Sequence, residues 1–231
     1  MLGEKIRSLF RPGGEPPLNG AVVLAHSYNH HAATMSSSPS EMDRRSNGLR
    51  QFFENLPQDG RLRVLDLGGV SQANVNFIAL RGHKLYTEDL LVSLDHLNAH
   101  TKDPAQRAGL AARFVEENLD FPPEHFDGIL VWDTLEFLDE DLLWSTVTQL
   151  QAILKPGGTI LSFFHTQAKG EPVHVFRYQI ADHQTLHLQP RFSRPLPRAF
   201  NNRNLERLFG NFRSVKFFLT RDRLREVIVK R

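Results

Sequence analysis

From Leu62 to His165 the chain alternates short apolar runs with amphipathic stretches of helical length, and that alternation leaves few architectures open. The segments "LRVLDL", "HKLYTED", "RFVEEN", "FDGILVWD" and "TILSFFH" read as strands. Between them Ser71–Arg81, Leu90–His100, Pro104–Arg113 and Asp139–Leu154 read as helices. Gly82 closes the first of these, and "KPGG" stops the last. Parallel neighbours need a crossover, so strands separated by helices imply a parallel, doubly wound α/β sheet. "FDGILVWD" is apolar enough to be buried on both faces, as a central strand of such a sheet is.

The flanks differ from this middle. Residues 1–45 carry "RPGGEPP", "SSSPS" and the group His26, His30 and His31, and are expected to form an irregular arm. His26 and His30 could share a helix face, but no third ligand stands at a metal-site spacing, so no metal is expected. Glu41–Leu56 reads as an amphipathic helix with Ser40 as its cap and Pro57 as its stop. The domain itself is placed at residues 46–231. Its tail departs from the alternation: "HVFRYQIAD" and "TLHLQPRF" look like an inserted hairpin, with an arginine-rich loop, at about residues 171–200. A helix over "NNRNLERLF", capped by Asn201 or Asn202, and a second hairpin, "FRSVKFFLT" and "LREVIVKR", end the chain. The expectation is a mostly parallel seven-stranded sheet finished by an antiparallel hairpin.

Composition narrows the function. A length of 231 residues suits one large domain. The absence of cysteine excludes disulfides, thiolate metal sites and a cysteine nucleophile. No apolar run reaches the roughly 18 residues of a membrane span, and Ala21–Ala25 is too short for a secretory core, so a cytoplasmic location is expected. Net charge is only +2, yet Arg177–Arg231 holds 13 basic and 4 acidic residues, a balance of +9. Such asymmetry marks either an anionic partner or a solvated basic face.

In sheets of this kind ligands bind beyond the carboxyl ends of the strands. Asp66 with Gly68 and Gly69 stands at one such end, Glu88 and Asp89 at the next, and Asp133, Thr134 and Glu136 at a third. The glycine loop "GGVSQA" has Val70 and Gln72 where a dinucleotide loop has its further glycines, which argues against a nicotinamide cofactor. Val70 restores a branched side chain. A left-handed conformation there would cost about 1–2 kcal/mol, so either the loop takes a valine-compatible path or the pocket is blocked.

Taken in order, "VLDLGG", Asp89 seven residues after Gly82, "FDGILVWDTLEFLDED" and "LQAILKPGGTILSFF" resemble the class I S-adenosylmethionine-dependent methyltransferases, over about Leu49–Arg231. The resemblance implies a Rossmann-like methyltransferase fold and S-adenosylmethionine as cofactor. It implies that Gly68 and Gly69 let the loop approach the cofactor and that Asp66 acts near its methionine end. Asp89, or Glu88 in its place, would hold the ribose hydroxyls. Glu116, Glu117 and Asn118 would flank the adenine, and Asp133 would face methionine and substrate. Each has a plainer alternative: a tight turn for the glycines, a helix cap for Glu88 and Asp89, a turn residue for Asp133.

Methyl transfer from a sulfonium is an in-line displacement in which orientation does much of the catalysis. A base helps when the acceptor is a hydroxyl or a protonated amine. His165, ending "TILSFFH", is the best-placed base, with Asp133 beside the reacting centre. Where small-molecule members of the family often carry histidine after "LE", this chain has Phe137. Arg191, Arg194 and Arg198 alternate with prolines in an expected exposed loop and could hold a carboxylate or phosphate bidentately. The sequence therefore points to methyl transfer onto an anionic small-molecule or lipid-like acceptor. A second reading is a non-catalytic methyltransferase-like module binding a protein or nucleic acid through its basic C-terminal face.

Overall fold

The computed structural model describes residues 40–100, 109–220 and 222–231; the group His26, His30 and His31 and the first half of the expected Pro104–Arg113 helix lie outside them. Strand β2 (Arg63–Asp66) pairs in parallel with β3 (Lys84–Thr87) on one side and β4 (Phe126–Trp132) on the other. Strand β5 (Leu154–His165) continues the parallel run beside β4. The antiparallel hairpin β8 (Ser214–Phe218) and β9 (Leu224–Lys230) closes the sheet, with β9 against β5. The order is β3-β2-β4-β5-β9-β8, six strands among the described residues rather than the seven expected.

The missing strand is "RFVEEN". It lies within helix α4 (Leu110–Leu119), where Phe114 and Leu119 are buried and Arg113 pairs with Glu117 one turn on. Leu110 and Phe114, and Val115 and Leu119, are each four apart and pack into the core from one helical face, whereas a strand needs them two apart.

A second sheet of three strands, β1-β7-β6, comes from the hairpin β6 (Pro172–Asp182) and β7 (Thr185–Pro195) and from β1 (Met42–Arg45), which pairs antiparallel to β7. Residues 42–45 thus belong to the folded domain and not to an irregular arm. The helix that follows, α1 (Asn47–Asn55), begins later than the sequence suggests, with Ser46 rather than Ser40 as its cap: the Ser46 hydroxyl accepts from the Leu49 N–H at 2.9 Å. Arg44 explains the change. Its buried guanidinium donates to Asp222 and to Glu226, which is itself fully buried, so long-range ion pairs override a local helical preference.

Consecutive residues of the central strands serve opposite faces. Val64, Leu130 and Trp132 pack with Leu49 and Phe52 of α1, Phe77 and Ile78 of α2 (Gln72–Ala79), and Tyr178, Ile180, Leu186 and Leu188 of the small sheet. Leu65, Ile129 and Val131 pack on the other face, against α3 (Leu90–His100), α4, α5 (Glu140–Ile153) and α6 (Asn202–Leu208). Asp139 caps α5, and Asn201 caps α6 through a reciprocal bond with Asn204. The result is the doubly wound α/β architecture, carrying a small sheet over one face.

Candidate active site

The carboxyl ends of β2, β3, β4 and β5 bring together Asp66, Asp89, Asp133 and His165, as the sequence order implies. Asp66 ends β2 and is fully buried. Its Oδ1 accepts from the Gly68 N–H at 3.0 Å and from the Trp132 indole N–H at 2.6 Å, and its Oδ2 accepts from the Asn74 amide at 2.7 Å. Burial pushes its pKa up to about 6, against these three donors.

The glycine turn takes the valine-compatible path. Gly69 carries the positive φ of +84°, Val70 is not left-handed, and its side chain is 68% exposed. Ser71 then caps α2, as expected. The two glycines are required by neighbouring side chains. A Cβ on Gly68 would sit 2.6 Å from the Trp132 ring, and one on Gly69 would sit 2.6 Å from the Asp89 carboxylate. Gly69 also donates its N–H to the Glu88 carbonyl at 3.0 Å.

Asp89 caps α3 and does more. Its Oδ1 accepts from the Val92 N–H at 3.1 Å, while Oδ2 accepts from the Arg191 guanidinium at 3.0 Å. The neighbouring Glu88 is partly buried, which raises its pKa. Glu117 and Asn118 lie on α4 rather than after a strand. They line a cavity of about 380 Å³ with Val92, Ser93 and His96 of α3.

Trp132 ends β4 with φ +57°, a conformation a bulky residue adopts at a cost of about 1–3 kcal/mol. Its bond to Asp66 and a parallel stack on Tyr178, 5.0 Å between ring centroids, hold it there. Asp133 follows it, almost fully buried, its carboxylate accepting from the Tyr178 hydroxyl at 3.0 Å. Burial and the Glu136 charge push Asp133 up to about 7, with the nearby His165 pulling the other way. Glu136 is fully buried in a 3-10 turn and grips the end of β5 twice. One oxygen accepts the His165 backbone N–H at 2.8 Å, and the other pairs with its Nδ1. Burial alone would lower the pKa of His165; the bond to Glu136 and its charge outweigh that and raise it. Donor atoms of Asp133, Glu136 and His165 lie within 4.8 Å of one another.

Arg191 and Arg194 stand on β7, not in an exposed loop, and each of the three arginines already has a partner. Arg191 meets Asp89, Arg194 meets Asp95 at 2.9 Å, and Arg198 donates to the Leu138 carbonyl at 2.7 Å. Sequence reading does not reach Trp132, Tyr178 and Asn74 as parts of this site. Asn74 carries no local signal, yet its amide joins Asp66 to the Tyr178 carbonyl, and its carbonyl accepts the Ile180 N–H at 2.7 Å.

A family model described as "Methyltransferase domain" matches residues 40–212. The chain belongs to that family, and with it to the class I S-adenosylmethionine-dependent methyltransferases, enzymes whose cofactor is S-adenosylmethionine. Solved structures similar to it include the 1,6-didemethyltoxoflavin-N1-methyltransferase of Burkholderia thailandensis, at 16% identity, TM-score 0.43, covering 80% of this chain and 79% of that one. Others are S-adenosylmethionine-dependent methyltransferases from Archaeoglobus fulgidus (13%, 0.46, 79% and 91%) and from Clostridium acetobutylicum (14%, 0.43, 79% and 90%). No curated protein sequence matches the chain. Among the described residues no helix is long and apolar enough to cross a membrane.

The residues present suit a nucleoside cofactor. Asp89 is a partly exposed carboxylate at a strand end, able to accept from a ribose diol, and it faces a glycine backbone with no Cβ to spare. Its Oδ2 is at present taken by Arg191.

Proposed function

We propose that this chain transfers a methyl group from S-adenosylmethionine to a small-molecule acceptor, in the cleft ringed by Asp66, Gly68, Gly69, Asp89, Asp133 and His165. The observation that carries this reading is the convergence of those residues at adjacent carboxyl ends of parallel strands in a methyltransferase-family chain. Asp89 would hold the ribose, with Glu88 behind it. The α3–α4 cavity offers Glu117 and Asn118 to the adenine. Asp66 shapes the glycine turn through Gly68 and, with Trp132, forms the floor near the methionine end.

When bound, the cofactor supplies a sulfonium-activated methyl group, so the protein's main task is to align donor and acceptor. A hydroxyl or ammonium acceptor must also lose a proton. Asp133, held near pH 7 by burial, can take it at neutral pH and is supported in its charged form by His165. His165 has Nδ1 committed to Glu136, so Asp133 is the better base and His165 the charge that steadies it. A small acceptor is supported by a pocket of about 200 Å³ lined by His165, His174, Gln167 and Phe176. The arginines support an anionic acceptor less, because Asp89, Asp95 and a carbonyl already engage them. The test is a screen of small amines and alcohols for release of S-adenosylhomocysteine. Asp133→Asn should lose about 10²–10⁴-fold in rate on any acceptor that carries a proton. Unchanged rates in that variant would remove Asp133 from the chemistry.

A further inference from the structure

We propose that Arg191 is a gate on the cofactor site: its guanidinium occupies the ribose-holding oxygen of Asp89, and cofactor binding exchanges one for the other. This rests on the reading of Asp89 as the ribose acid.

The geometry is specific. Asp89 spends Oδ1 on the N–H of Val92 in the first turn of α3 and presents Oδ2 to Arg191 at 3.0 Å. A ribose diol donates two hydrogen bonds to one carboxylate. Each oxygen keeps a second acceptor site, but at Oδ2 the diol meets a charge-assisted donor that competes for the oxygen, whereas the donor at Oδ1 is a neutral backbone N–H. Swinging Asp89 aside to offer another edge would break its helix cap. The cap bond from the Val92 N–H holds Oδ1, and so keeps Oδ2 turned toward Gly69 and Arg191. The two side chains are only 16% and 22% exposed, so water screens the pair incompletely.

Movement of Arg191 needs no movement of the hairpin. Strand β6 is tied down by Asn74 and by the Tyr178–Trp132 stack, and Arg194 on β7 is tied to Asp95. A long, flexible guanidinium can change rotamer on that fixed frame. Phe192 lies beside it, its ring centroid 5.5 Å from the Arg191 guanidinium carbon and 4.5 Å from that of Arg194. Cofactor affinity then carries a tax equal to the stability of the Arg191–Asp89 pair.

The experiment measures S-adenosylhomocysteine binding by calorimetry to the wild type, Arg191→Met and Asp89→Asn, at low and high sodium chloride. The gate predicts binding roughly fivefold to tenfold tighter in Arg191→Met. It predicts that salt tightens wild-type binding by about twofold, because screening weakens the competing ion pair. That salt effect should vanish in Arg191→Met. Arg191→Gln, with unchanged melting temperature, serves where the methionine variant folds poorly. Weaker or equal binding in the Arg191 variants, with Asp89→Asn weakened, overturns the gate and leaves the ribose reading standing. Affinity indifferent to Asp89→Asn, or no binding by either wild type or Arg191→Met, overturns both.

Discussion

At the scale of single residues, the site is held by a few buried polar groups that satisfy one another. Trp132 shows how. It keeps a left-handed backbone because its indole fills a space against Gly68 and donates to Asp66. Trp132→Phe keeps an aromatic ring but removes the donor and part of the indole's volume, leaving a fully buried carboxylate with one bond fewer. The expected loss is about 1–3 kcal/mol in chemical denaturation. Asp133 sets a pH dependence whose sign follows from its raised pKa. The folded state holds its proton from the ordinary carboxylate range up to about pH 7, while the unfolded chain has already released it. Stability therefore falls as pH rises from about 4 to about 7. Asp66, raised to about 6, and His165, also raised, act in the same direction. The melting temperature should be higher at pH 5.5 than at pH 8, and Asp133→Asn should flatten that slope.

At the scale of elements, the small sheet covers one face of the α/β sheet, and two clips fix it. Asn74 on α2 bonds both a carbonyl and an N–H of β6, as a neighbouring strand would. Asn74→Ala should cost about 1–3 kcal/mol and speed hydrogen exchange at Ile180 more than at the centre of β4. Arg44 on β1 is the second clip. Arg44→Met leaves Glu226 buried without its cation, and the expected loss is about 3–5 kcal/mol. These clips also explain what the sequence could and could not disclose. The central strands β2, β4 and β5 were legible because they bury apolar residues on both faces, and the glycine turn because its acid and glycines stand within four residues. Strand β1 was not, because its conformation is set by Asp222 and Glu226, some 180 positions away. The seventh strand was misread because a short apolar run fits either period. Asn74 and Tyr178 have meaning only once β6 lies against α2.

At the scale of the whole molecule, three basic residues of the tail pair with acids of the first half. Arg191 meets Asp89, Arg194 meets Asp95, and Arg231 meets Glu124. The first of these pairs lies at the strand ends where Asp66, Asp89, Asp133 and His165 stand, in a chain of a methyltransferase family. The strand-end residues converge there whichever acceptor is used. The measurement that tests this account most directly is calorimetric titration of the purified protein with S-adenosylhomocysteine, beside Asp89→Ala. The account predicts a dissociation constant in the micromolar range, about −8 kcal/mol, weakened at least tenfold in the variant. Absence of binding up to millimolar ligand, or equal affinity in Asp89→Ala, would contradict it.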